Sequence, residues 1–178
     1  VNAHIAKLAE NPRSAMSPSG GQGSAIGLVA AQDYIRETLI DGGFGYNEEK
    51  KPETNDGDDS DEKYNTVTDW YRASGEKKPT VTVQSSVLAA DLQNGINGGE
   101  YLVGAEIKNI IAAIPSKKQN AKSIIVTVRY DSRPDTVGAA DNAAFVANAM
   151  QTLIEYVKSG AQFDNDIIVV FTEDLDKS

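Results

Sequence analysis

Ser123–Asn142 reads SIIVTVRYDSRPDTVGAADN, and this stretch decides the fold. Ser123–Val128 is rich in β-branched side chains, the pattern of a buried strand. The strand runs out into Arg129, Tyr130 and Asp131, a turn at Pro134, and Gly138-Ala139-Ala140-Asp141-Asn142, which opens an amphipathic helix. In that helix Phe145, Val146, Ala149, Met150, Leu153, Ile154 and Val157 recur at three and four residues, until Ser159-Gly160 stops it. A second apolar run, Asp166–Thr172 (DIIVVFT), follows. Strand, crossover helix and strand predict two parallel strands joined right-handedly, with their carboxyl ends on one sheet edge. Ligands of α/β proteins sit at that edge. Asp131, Asp141 and the Glu173–Asp176 tail are thereby brought close together, and three acidic segments there repel one another unless a cation lies among them.

Toward the N-terminus, Val1, Ile5 and Leu8 mark a short helix over Val1–Glu10, and residues 12–23 read as a Ser-, Gly- and Pro-rich loop. Ser24 is the expected N-cap of a helix to about Asp41, with Leu28, Ala31, Ile35 and Leu39 on one face and Gly42-Gly43 ending it. Thr80–Leu88 and Glu100–Ile114 are strand-rich, separated by Asn94-Gly95 and Asn97-Gly98-Gly99, and read as a hairpin-like pair. The fold class that follows is α/β: a mixed, centrally parallel sheet flanked by helices.

The chain has 178 residues, enough for one domain with a substantial core. A formal net charge of −9 argues against a nucleic-acid partner, because neutralising phosphates needs clustered Lys and Arg. Much of the acidity lies in Asn47–Lys63 (NEEKKPETNDGDDSDEK), which reads as a solvated, mobile loop. Within it, Asp56–Asp61 lacks the one-three-five spacing and terminal Glu of a calcium-binding EF-hand loop. Trp70 and Tyr71 are read as anchors packing this insert, at about 46–78, onto the core, with a partner-binding patch as the alternative. No cysteine is present, which excludes disulfides and thiolate zinc sites. The sequence holds no signal peptide, lipidation motif or membrane span. It opens in a helix and stops six residues after a strand, so an excised portion of something longer is expected.

A strand followed by Tyr130-Asp131-Ser132-Arg133-Pro134 and then Gly138-Ala139-Ala140-Asp141-Asn142 resembles the co-catalytic zinc aminopeptidase family, which includes aminopeptidase Y, bacterial leucyl aminopeptidases and the glutaminyl cyclases. In that family the strand ends in His-x-Asp, the His on zinc and the Asp orienting it. The Asp of Gly-Ala-x-Asp-Asn bridges two metals, and a later strand ends in Glu-Glu as general base and ligand. The resemblance puts Asp131 at the orienting position, Asp141 at the bridging one, Arg129 where the His stands, Leu175 at the general base and Asp176 at the ligand. A slip of one or two residues brings Glu173 or Asp174 to the base position instead. His4–Leu8, Asn11-Pro12-Arg13-Ser14, Gln32–Ile35 and Gly42-Gly43-Phe44 resemble the lead-in of membrane-anchored members, and Asn109–Ile114 resembles the strand before the catalytic one. The resemblance implies one partial peptidase-like domain over 1–178, on the extracellular or cell-surface side of a membrane-anchored bacterial protein.

These residues carry three readings. The first is a degenerate, non-catalytic peptidase-like domain that binds or scaffolds a peptide or protein partner, with no cofactor of its own. The second is a working aminopeptidase whose zinc site is completed by residues outside this chain. The third is a carboxylate-lined calcium- or magnesium-binding module, since hard cations prefer all-carboxylate sites and zinc favours nitrogen and sulfur. Asp131 and Asp141 also serve plain helix-capping and turn chemistry. Arg129 cannot ligate zinc but forks onto carboxylates, so it is the candidate stand-in cation. Leu175 can neither take nor return a proton. His4, the one histidine, reads as a surface residue of the first helix.

Overall fold

The computed structural model describes residues 1–14, 23–47, 78–94, 100–118, 121–133 and 135–173. Its elements run α1 (Asn2–Leu8), α2 (Gly23–Asp41), β1 (Gly45–Asn47), β2 (Thr80–Asn94), β3 (Glu100–Ile114), β4 (Ser123–Arg129), a π-helical turn (Ala139–Ala143), α3 (Ala144–Ser159) and β5 (Asp166–Thr172). The five strands form one sheet in the order β1-β2-β3-β5-β4. β1/β2 and β4/β5 are parallel pairs, while β2/β3 and β3/β5 are antiparallel. The expected hairpin and the expected β4–α3–β5 crossover are both present. In the crossover the register runs from Ser123 opposite Asp166 to Arg129 opposite Thr172.

Alternation along the strands sorts the sheet into two faces. Val81, Ile110, Ala112, Val169 and Phe171 point to the face where Leu28, Ile35 and Leu39 of α2 and Val146, Met150 and Leu153 of α3 complete the main core. Ile111, Ala113, Ile168 and Val170 form a second buried cluster on the other face. The stripe expected on α2 is buried throughout. α3 ends as expected, with Gly160 in the left-handed region at φ +65°.

The strand that decided the fold is not buried. β4 closes one edge of the described sheet, and Ile124, Ile125 and Val126 remain 48%, 47% and 44% exposed. A run of β-branched residues marks a strand but carries no information on how many neighbours it has. Phe145, read as part of the apolar face of α3, is 64% exposed and lies outside the buried stripe. β1 was not anticipated, being three residues long and too short to show a period.

His4 also departs from its reading as a surface residue. Its Nε2 lies 3.3 Å from the Gln151 side-chain oxygen and its Nδ1 2.7 Å from the Tyr34 hydroxyl. An amide oxygen can only accept, so Nε2 donates and Nδ1 accepts, and the half-buried ring clasps α1 to both α2 and α3. Most of the acidic run, and Trp70 and Tyr71, lie outside the described residues. Among the described residues, no helix is long and apolar enough to cross a membrane.

Candidate functional site

The loop leaving β4 is built around a residue the sequence reading quoted but gave no role. Tyr130 N–H donates to Thr172 C=O at 3.0 Å, which carries the β4/β5 ladder one step past the strand. Beyond it, the chain is held by Arg13, one of the most deeply buried side chains described. Its Nε donates to Tyr130 C=O at 2.6 Å, its Nη1 to Leu8 C=O and to Val137 C=O at 2.7 Å, and its Nη2 to Gly138 C=O at 3.3 Å. A guanidinium fans donors in one plane, and here they reach carbonyls from both ends of one loop and from α1. Main-chain and hydroxyl bonds add to this: Ser132 N–H donates to Arg13 C=O at 2.6 Å, and Arg13 N–H donates to Ser132 Oγ at 2.8 Å. Burial pulls the Arg13 guanidinium below its usual pKa and the Asp131 charge pushes it back up. Arginine stays charged under either influence.

The loop so fixed borders a half-open cavity of about 470 Å³ at the carboxyl end of β4, lined by Arg129, Arg133, Thr136, Asp141, Asn142 and residues 138–140. Gly138 enters this turn at φ +54°, and the Asp141–Asn142 peptide is cis. Arg129 forks onto Asp131, with Nε 3.1 Å from Oδ1 and Nη2 2.9 Å from Oδ2. The pair is lopsided: the Arg129 side chain is 40% exposed and the Asp131 side chain 6%. Asp141 is exposed in the cavity wall and makes no ion pair among the described residues. Arg129 and Asp141 therefore share a cavity, and Arg129 grips the Asp131 carboxylate.

This geometry sets the expected effect of Arg129→Ala. A fully buried pair costs about 3–5 kcal/mol to break and an exposed one under about 1. Here the buried Asp131 loses a two-pronged, charge-assisted bond to a half-exposed partner, so a loss of about 1–3 kcal/mol is expected. Urea unfolding measures it, and Arg129→His should lose a comparable amount without gaining hydrolytic activity.

Glu173 leaves β5 on the opposite face from Arg129. Its Oε1 accepts the Lys108 N–H at 2.9 Å, and its Oε2 lies 3.4 Å from Gln32 Nε2 and 3.2 Å from the Tyr130 hydroxyl. Tyr130 in turn accepts from Gln32 at 2.9 Å and reaches Lys108 C=O at 2.8 Å. The carboxylate thus joins α2, β3 and the start of the loop from inside the core and does not line the cavity. Burial pushes the Glu173 carboxyl above its ordinary 4.5, the Lys108 N–H and Tyr130 hydroxyl bonds pull it down, and the Asp131 charge raises it further. Burial likewise raises the Tyr130 phenol.

A carboxyl whose pKa is raised by folding binds its proton more tightly in the folded state. Its contribution to stability is complete below the ordinary glutamate value of 4.5 and is lost as pH rises through the raised one. Glu173→Gln, which keeps the shape without the charge, should therefore gain on the parent chain as pH climbs from 4 to 8. Urea midpoints of the two proteins over that range give the result, and parallel curves would contradict it.

Asp174, Leu175 and Asp176 lie outside the described residues. The described residues do not make a zinc donor set. Among them no three His, Cys, Asp or Glu side chains are grouped to hold a metal, and the cavity wall offers one carboxylate against two guanidiniums.

Residues 109–174 match the model of peptidase family M28. No curated protein sequence matches the chain. Among solved structures, the fold is similar to the glutaminyl cyclase of Fimbriiglobus ruber, with a TM-score of 0.55 and 16% identity over 96% of this chain and 43% of that one. LapB from Legionella pneumophila gives 0.51 and 13% over 98% and 34%, and the glutaminyl cyclase of Macrostomum lignano gives 0.50 and 14% over 97% and 38%. At these identities the likeness is one of fold, and the chain spans 34–43% of the length of these structures. The resemblance read from the sequence and the α/β fold are both borne out.

Proposed function

Proceeding from a peptidase M28-like chain with a glutaminyl cyclase-like fold, we propose that its site has exchanged metal chemistry for binding. The domain is then a non-catalytic binding or scaffold module of a larger protein. One observation carries this reading: where the family resemblance calls for a zinc-binding His, Arg129 stands and forks onto Asp131, the residue matched to the orienting carboxylate. A permanent cation at that position repels a metal ion and supplies the charge that the neighbouring carboxylates need. The loop that presents Asp141 is held from behind by Arg13, so its shape does not depend on an ion. The lead-in residues 4–14, similar to those of membrane-anchored members, support a place on the exported side of a membrane.

The test has two parts. After dialysis against micromolar zinc, elemental analysis of the purified chain should find no bound metal. Aminoacyl chromogenic substrates should stay intact with zinc, cobalt or manganese added, since general-base loss alone removes about 10²–10⁴-fold in rate. One or two zinc ions per chain, or metal-stimulated turnover abolished by Asp141→Ala, would overturn the proposal.

A second reading is favoured by length. The matched structures are more than twice as long as this chain, which leaves room for ligands and a base elsewhere in a longer polypeptide. On that reading zinc binds the longer protein and turnover returns with it.

A further inference from the structure

β4 has a free side, and its ladder with β5 shows which main-chain groups face it. Asp166 N–H donates to Lys122 C=O at 2.9 Å and Tyr130 N–H to Thr172 C=O at 3.0 Å, so the even-numbered residues of the strand turn their main-chain groups to β5. These groups alternate in direction along a strand. Those of Ile125 and Thr127 therefore point to the free side, where the described sheet has no strand. Both faces of the edge are apolar. Ile124 and Val126 stand beside Ile167 and Val169 of the main core, and Ile125 beside Ile168 of the second cluster, yet all three are about half exposed. Devices that keep sheet edges from pairing are missing: Ser123–Val128 holds no proline and no charge, and its register with β5 runs without a bulge. Helix α3 continues the apolar border. Gln151 meets His4 of α1, whereas Phe145, six residues earlier, lies on the opposite flank, with Tyr156 on the same stripe. α2 packs over β2 and β3 and α3 over β4, so this exposed aromatic flank is the one turned to the free side.

The strand is complementary to itself. An antiparallel copy that overlaps all of Ser123–Arg129 puts Val126 on a two-fold axis, with Ile125 of each copy opposite Thr127 of the other. Main-chain groups that face the free side then meet others that do, as an antiparallel ladder requires, and a slip of one residue would lose this match. On the main-core face the opposed side chains are Val126 with Val126 and Ile124 with Val128, all β-branched. Because α3 runs back along β4, the same axis brings Phe145 of one copy toward Tyr156 of the other. Ile124, Ile125, Val126, Phe145 and Tyr156 expose on the order of 500 Å² per copy, and the rest of the strand adds to this toward the roughly 800 Å² per partner of a standard interface. We propose that two copies of the 178-residue chain pair antiparallel through β4, so that one sheet runs through both. The net charge of −9 on each copy opposes association, but Ser123–Val128 contributes none of it at the contact. Pairing at this edge does not depend on whether the loop after β4 holds a metal.

Sedimentation equilibrium of the 178-residue chain, from micromolar to near-millimolar concentration at moderate salt, should show a monomer–dimer equilibrium. Val126→Lys sets two ammonium groups opposite each other on the axis and should weaken the dimer at least about tenfold. Thr127→Pro removes an N–H on the free side, where proline is tolerated, and should weaken it similarly. Amide hydrogen exchange identifies the surface. In the dimer, Ile125 and Thr127 should be protected along with Val126 and Val128. In the Val126→Lys monomer, the 125 and 127 amides should exchange quickly while the 126 and 128 amides stay protected by β5. That contrast separates lost pairing from lost fold, and exchange in the parent chain alone still decides the matter if neither variant folds. A chain that stays monomeric at every concentration, leaving the edge to a strand from another source, would overturn the inference. So would a dimer whose 125 and 127 amides exchange freely, or open-ended aggregation without a dimer.

Discussion

Arg13→Ala should lower the unfolding free energy by about 3–5 kcal/mol, one of the largest losses open to a single substitution here. The carbonyls of Leu8, Tyr130, Val137 and Gly138 all accept from this guanidinium inside the protein. A buried acceptor left without a donor costs about 1–3 kcal/mol. The summed cost is reduced because water enters the space left by the side chain, and because the burial of a charge no longer has to be met. Arg13→Lys keeps the charge but replaces a flat fork by a point, and should recover part of the loss. Urea unfolding followed by circular dichroism measures both. A typical domain holds about 5–15 kcal/mol in all, so the alanine variant is expected to sit close to its unfolding threshold at room temperature. A loss under about 1 kcal/mol would show that the loop stands without Arg13.

Gly138→Ala should cost about 2–5 kcal/mol for two separable reasons. The backbone there sits at φ +54°, where a side chain costs about 1–2 kcal/mol. A Cβ would also stand 2.6 Å from Asp141 C=O, 2.7 Å from Ser132 Cβ and 3.1 Å from Arg13 Nη2, and overpacking of this kind costs about 1–3 kcal/mol. Gly160 provides the control. Its φ is +65°, yet nothing lies within 4 Å of the added atom, so Gly160→Ala should show the backbone cost alone. Equal losses at the two glycines would mean that the 138 turn shifts freely to make room. Because Gly138 and Arg13 act on one loop, the double substitution should cost less than the sum of the two.

The repeating apolar positions of α2 and α3, the stop at Gly160, the β2/β3 hairpin and the parallel β4/β5 pair were legible from the residues in order. Each depends on a period of two or 3.6, or on turn chemistry, and these act between residues a few positions apart. The acidic and basic residues of the loop were legible as a set for the same reason: Arg129, Asp131 and Asp141 belong to one short run. Their pairing was partly legible too, since Arg129 ends the strand and Asp131 follows two residues on, close enough for the guanidinium to fork onto its carboxylate.

What the order of residues could not supply was the neighbour count of each element and the direction each buried polar group faces. Val126 has the composition of a core residue and lies at an edge, because strand order is set by which strands meet in space. Glu173 follows β5 toward the expected ligand edge but turns inward to Gln32, 141 residues away along the chain. Arg13 meets Tyr130 across 117 residues and was invisible as a site, since a single arginine in a Pro- and Ser-rich segment reads as solvated until the carbonyls it serves are placed. Backbone groups carry no sequence signature. A charge that is satisfied by carbonyls alone therefore appears only once the chain has folded around it.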